Sequence, residues 1–237
     1  MTRDVGPAIL VLAKAPEPGR VKTRLCPPLS PAQSADLAAA ALLDSITAAS
    51  GVPGARPVVV MTGTLHRAAR RDEITATLAG LTVLTQRGGT LGERISAAHA
   101  DAATALPGRR TLQIGMDTPQ VDADLLRDAD DALAHPGVDA VLGPAVDGGW
   151  WALGLRRPSD AALVVDVPTS RDDTGARTLD ALRAGGLRVH LLPELSDVDT
   201  AADAVAVAAA APRSRFAAAV AALPTGTLDL HLTGGRS

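Results

Sequence analysis

Short runs of aliphatic, often β-branched residues alternate along the chain with longer Ala- and Leu-rich runs. Apolar runs at 8–14 (AILVLAK), 57–62 (PVVVMT), 81–86 (LTVLTQ), 111–115 (TLQIG), 140–143, 150–155 and 187–192 predict strands. Between them, helices are predicted over 31–50, 91–106, 124–135, 178–184 and 200–211. Three helix starts carry explicit caps. Ser30 with Pro31 and Gln33 opens the first, Thr90 with Glu93 the second, and Thr200 with Asp203 the last. The segment after Pro224 is expected to be irregular and its last residues frayed.

Strands alternating with helices imply βαβ units. The expected architecture is a three-layer α/β/α sandwich around a mostly parallel, mixed sheet. No repeat period or linker divides the chain, so one domain is expected over residues 1–225, with an irregular tail over 226–237. The 237 residues, 46% hydrophobic and 21% charged, suffice for a core without a disulfide or metal staple.

Charge and composition then exclude several functions. The net charge is -3, and the chain has two Trp, one Phe and no Tyr. It thus lacks both a basic field for a phosphate backbone and aromatic platforms for single strands, so no nucleic-acid partner is expected. The apolar run at 8–13 is too short to span a membrane and is followed by Lys14. The start, Met1-Thr2-Arg3-Asp4, lacks the features of a secretory leader. A lone Cys26, expected to be buried or inert, permits a reducing, cytoplasmic setting. The five histidines show no metal-ligand spacing.

Ligands of open α/β sheets bind beyond the carboxyl ends of the strands. Five loops stand out there. The first, KAPEPGRVKTRL (14–25), sets Lys14, Arg20, Lys22 and Arg24 around Gly19 and two prolines. Such a loop reads as a diphosphate grip, or as a solvated basic turn. It is neither a Walker P-loop nor a dinucleotide fingerprint. In the second, Gly88 and Gly89 lead through Thr90 and Glu93 to Arg94, which reads as an anion or base site built on free amides, or as a capped turn. The third, Gly115-Met116-Asp117-Thr118-Pro119, places a carboxylate past a strand, suited to Mg²⁺ or Mn²⁺ or to a turn cap. In the fourth, Asp197 and Asp199 stand two apart, so in an extended stretch both face one side. The fifth, GPAVDGGWW (143–151), reads as an acceptor wall with Asp147 as hydrogen-bond acceptor or base, or as a hairpin with core tryptophans. Alternation there sends one of Trp150 and Trp151 to the core.

Together, KAPEPGRVKTRL, the 86–94 loop, 115–119, GPAVDGGWWALGL and DVDT resemble, in order and over most of the chain, a bacterial family of unknown function. It is often called the selenodomain-associated transferase, a glycosyltransferase-A-like group of the nucleotide-diphospho-sugar transferase superfamily. The resemblance implies that Lys22 and Arg24 meet phosphates and that Asp117 and Asp199 hold the divalent ion. Two positions depart from the pattern. Gly115 stands where many glycosyltransferases complete an Asp-x-Asp. Val146 stands where relatives carry an acidic residue, which passes that role to Asp147.

The reading that follows is a Mg²⁺- or Mn²⁺-dependent transferase of a nucleotide-activated donor, a nucleotide sugar, onto an acceptor the sequence does not name. Asp117, Asp147 and Lys22 are its catalytic groups. Lys14, Gly19, Arg20, Lys22, Arg24, Gly88, Gly89 and Arg94 bind the nucleotide. The alternatives are a nucleotidyltransferase releasing pyrophosphate and a non-catalytic nucleotide-binding protein. A homodimer is compatible with each.

Overall fold

The computed structural model describes residues 5–228. The leader reading at residues 1–4 and most of the expected tail, from residue 229 on, fall outside the described residues.

Seven strands form one sheet in the order β3-β2-β1-β4-β6-β5-β7. They are β1 (Ala8–Lys14), β2 (Arg56–Thr62), β3 (Thr82–Thr85), β4 (Thr111–Gly115), β5 (Ala140–Pro144), β6 (Trp150–Leu155) and β7 (Val189–Leu191). β6 pairs antiparallel with both β4 and β5, and every other pairing is parallel. The sheet is thus mixed and mostly parallel, as the alternating pattern implied.

β1 is the centre of the fold. Its side chains alternate between two apolar layers: Ile9 and Val11 pack with Ala35, Leu42 and Leu126, whereas Ala8 and Leu10 pack with Ala98 and Ala102. Helices α1 (Pro31–Gly51) and α4 (Ala123–Ala134) therefore cover one face and α3 (Leu91–Ala105) the other. A strand covered on both faces needs apolar residues throughout, which is why its sequence is a continuous run.

All three predicted capping boxes form, with Ser30, Thr90 and Thr200 accepting from the amides of Gln33, Glu93 and Asp203. Helices α2 (Arg71–Leu78) and α7 (Arg215–Ala221) escaped the sequence reading. α2 buries only Ile74 and α7 only Phe216 and Ala219, too few apolar positions to set a period. α7 is held instead by Asp44 of α1, whose carboxylate accepts from the amides of Arg215 at 3.0 Å and Phe216 at 2.8 Å. α5 (Thr174–Ala184) starts four residues before the predicted helix, and α6 (Ala201–Ala210) packs with α7 on α1. Leu228 also packs in that layer. Cys26 is only partly buried, its Sγ lying 3.0 Å from the Ser34 hydroxyl. Among the described residues no helix is long and apolar enough to cross a membrane.

Candidate functional site

β1 and β4 run parallel with Leu12 opposite Gly115, so their next residues emerge side by side at the carboxyl edge. Lys14 ends β1, and Asp117 follows β4 by two residues. The Lys14 amide donates to the Met116 sulfur at 3.2 Å, which closes the gap between the two strand ends.

The basic loop arches over this edge. Ala15 donates to the Thr62 carbonyl and Arg20 to that of Glu17, folding 15–20 into a tight turn. The turn ends at Lys22, whose backbone is left-handed at φ 47, just before a short 3₁₀ turn, Thr23–Leu25. Val21 and Leu25 on either side are buried and fix Lys22 between them. Its side chain, only 9% exposed, reaches inward and places Nζ 3.0 Å from Asp117 Oδ1 and 3.3 Å from Asp199 Oδ1. Arg24 Nη1 lies 2.7 Å from Asp199 Oδ2.

Asp199 reaches this point through the segment before α6. Val198 is buried, so its neighbours Asp197 and Asp199 turn to the opposite side, as a spacing of two requires. The Val198 amide donates to the Asp117 carbonyl at 3.0 Å. Gln120 adds a second tie, its side-chain amide donating to the Ser196 carbonyl. Ala145 pairs with Leu195 in a parallel bridge, which draws the 145–149 turn alongside.

These loops enclose a cavity of about 270 Å³ lined by Lys14, Arg20, Lys22, Arg24, Asp117 and Asp199 among others. Its electrostatics follow from the packing. Burial works against the Lys22 charge, but Asp117 and then Asp199 outweigh it and hold the ammonium above lysine's ordinary pKa. The Asp197 carboxyl is pushed up to about 6, by burial first and then by the neighbouring charges of Asp199 and Asp147. The sequence left the role of Asp197 open, and its spacing from Asp199 is what drew attention to it.

The structure thus brings Lys14, Arg20, Lys22, Arg24, Asp117 and Asp199 around one cavity. Gly19, at φ 77, shapes the turn beside it. Asp147 is exposed in the β5–β6 turn and accepts from the Gly149 amide at 2.8 Å, with Asp197 as its charged neighbour. Val146 beside it is 64% exposed. Trp151 is buried, donating to the Pro193 carbonyl at 2.9 Å, whereas Trp150 is half-buried and packs against the layer of Ile95, Leu142 and Leu153.

The glycine loop after β3 takes the capped-turn form that the sequence also allowed. Its amides are not free: Glu93 Oε2 accepts from Gly89 at 2.7 Å and Thr90 at 3.0 Å, and these bonds hold the Glu93 carboxyl below the usual carboxylate range. Arg94 turns back onto the carbonyls of Gly88 at 3.1 Å and Gly89 at 3.4 Å. A cradle already filled by a carboxylate does not attract a phosphate. The signal was present in the capping box, since a box spends the Glu side chain on those amides. The loop still sits on the same edge of the sheet, two strands from β1 and about 10 Å from it.

Comparison with known proteins places the fold among solved structures. Over 91% of this chain and 94% of the other, the structure is similar to that of a candidate nucleotide-diphospho-sugar transferase from Desulfovibrio desulfuricans G20, at 29% identity and TM-score 0.79. A cytidylyltransferase from Leptospira borgpetersenii shares the fold at 13% identity and TM-score 0.58, over 92% of this chain and 93% of that one. CMP:2-keto-3-deoxy-manno-octonic acid synthetase in complex with CTP shares it at 12% identity and TM-score 0.55, over 88% and 99%. No protein of curated function shows significant sequence similarity. The profile of one bacterial family matches residues 45–171, more than half of the sequence, and the chain belongs to that family, the uncharacterised proteins conserved in bacteria designated DUF2064.

Proposed function

We propose that this protein is a transferase acting on a nucleotide-activated donor, a nucleotide sugar in the first reading, with Mg²⁺ or Mn²⁺ as cofactor. The observation that supports it is the convergence of Asp117 and Asp199 on one point inside a cavity rimmed by Lys14, Arg20, Lys22 and Arg24. The donor set fits such an ion. Hard carboxylate oxygens from two residues converge on the Lys22 ammonium, and among the described residues no third His, Cys, Asp or Glu completes a protein-only cage. Mg²⁺ is commonly held in that way, by one or two carboxylates plus substrate phosphates.

In this reading Asp117 and Asp199 hold the cation, and Lys14, Arg20, Lys22 and Arg24 hold the phosphates, with Gly19 letting the turn approach them. The bound ion supplies positive charge against the charge that grows on the departing phosphate. The cationic side chains add to that stabilisation in a partly enclosed site. The Gly88–Gly89 loop and Arg94 are assigned to the base side of the nucleotide rather than to its phosphates. Asp147, exposed in the β5–β6 turn, is assigned the proton of an acceptor hydroxyl. The similarity to the Desulfovibrio protein favours the sugar donor.

A second reading is nucleotidyl transfer. The similarity of fold to the Leptospira cytidylyltransferase and to the CTP-bound synthetase is what favours it. Thermal melting with a panel of nucleotides and nucleotide sugars, with and without Mn²⁺, tests the common core. A metal-dependent rise for at least one donor is expected, and no rise for any donor removes the proposal. Product analysis separates the two readings, since sugar transfer releases a nucleoside diphosphate and nucleotidyl transfer releases pyrophosphate.

A further inference from the structure

The two carboxylates assigned to the ion already have counter-ions. Lys22 bridges Asp117 and Asp199, and Arg24 bonds the second oxygen of Asp199. One ammonium and one guanidinium carry two positive charges, the charge of one divalent cation. The same two side chains line the cavity where the donor's phosphates would lie. One pair of cations therefore has two competing tasks, on the carboxylates and on the phosphates.

The exchange between these tasks needs little of the fold. The Lys22 backbone is held by buried Val21 and Leu25 and by the Leu25 amide, which donates to the Lys22 carbonyl at 3.0 Å. Only the side chain has to turn. Arg24 is exposed, with room to swing.

We propose that Lys22 and Arg24 are resting counter-ions of the Asp117–Asp199 pair, and that a divalent cation and the donor's phosphates bind cooperatively because each frees these side chains for the other. The proposal rests on the metal-dependent reading above and concerns how that site loads. Metal alone must compete with Lys22 for the carboxylates, and phosphate alone must compete with the carboxylates for Lys22. When both bind, each charge finds a partner. Coupling of this kind is reciprocal: the ion raises affinity for phosphate by the factor that phosphate raises affinity for the ion.

The test uses Mn²⁺ alone, read by loss of the free-ion electron paramagnetic resonance signal, on the wild-type chain, Lys22→Met and Lys22→Arg. Lys22→Met is expected to bind Mn²⁺ at least tenfold more tightly than wild type, and Lys22→Arg, which keeps the charge, to stay within a fewfold of wild type. A folded Lys22→Met that binds Mn²⁺ no more tightly than wild type overturns the proposal. A second measurement needs no variant. The melting temperature of wild type is followed with Mn²⁺, with inorganic pyrophosphate and with both. A combined shift larger than the two single shifts together supports the proposal, and merely additive shifts overturn it. Failure of the underlying reading looks different: neither wild type nor Lys22→Met then responds to Mn²⁺ under any condition, and the inference falls with the cofactor itself.

Discussion

The amide of Val198 donates to the carbonyl oxygen of Asp117 at 3.0 Å, and this bond joins the two acidic loops of the site. The Gln120 side chain ties the same loops a second time through the Ser196 carbonyl. Asp199 therefore has a fixed position relative to Asp117. Replacing Gln120 with Leu removes one tie and leaves the backbone bond. We expect a global cost of about 1 kcal/mol, faster amide exchange confined to residues 195–199, and a smaller nucleotide-dependent melting shift. Exchange mass spectrometry at those amides checks the first local effect, and melting curves check the second.

Asp117→Asn and Asp199→Asn keep the shape of each side chain and remove its charge. Each is expected to weaken divalent-ion binding by roughly 10- to 100-fold, the scale on which even outer partners of a metal act. The metal-dependent part of nucleotide stabilisation should vanish, and the metal-free melting temperature should fall as well, because the buried Lys22 ammonium loses a partner. Mn²⁺ titration of both variants measures this. A variant that keeps wild-type affinity would show that its carboxylate is no ligand.

Gly148 turns the chain between β5 and β6 at φ +85, and a Cβ there would collide with the Asp172 carbonyl oxygen. Neither the backbone conformation nor the space admits a side chain, because the obstacle is main chain. The Gly175 amide also donates to the Gly148 carbonyl at 2.7 Å, so the start of α5 rests on this turn. Gly148→Ala is expected to cost about 1–3 kcal/mol, within the range of overpacked sites, and to lower the melting temperature by several degrees. Because the turn carries Asp147, turnover should fall further than stability alone explains. Thermal melting together with an activity assay at a temperature where the variant is folded checks both parts.

His99 is wholly buried between α3 and β4, its Nδ1 lying 2.7 Å from the Thr111 hydroxyl. Burial lowers its pKa from 6.5 to about 4, against a smaller opposing effect of the Gln113 side chain. The folded chain thus holds a neutral imidazole that the unfolded chain protonates more readily. Between these two values the unfolded state binds more protons, so stability rises with pH. The contribution is complete above about pH 6.5, is lost as the pH falls toward 4, and amounts to about 3 kcal/mol. Urea unfolding at pH 7 and pH 5 should show the loss, and His99→Gln should flatten that dependence.

Much of the fold was legible because its signals are local. The continuous apolar run of β1 follows from burial on both faces, and Ser30, Thr90 and Thr200 mark helix starts through bonds made within three residues. α2 and α7 gave no such signal, since one or two buried side chains establish no period and their support comes from distant partners such as Asp44. The loops that would carry chemistry were also visible, because a strand end is defined by the strand.

By itself the sequence determined which residues stand at the sheet's carboxyl edge and that Asp197 and Asp199 share one side. The tertiary structure alone decided what that side faces. Val198 buried under Asp117, Lys22 turned inward between Val21 and Leu25, and the Ala145–Leu195 bridge are contacts between segments far apart in the chain. Local periodicity fixes the direction of a side chain relative to its own backbone, whereas the charge it meets depends on how separate backbones dock.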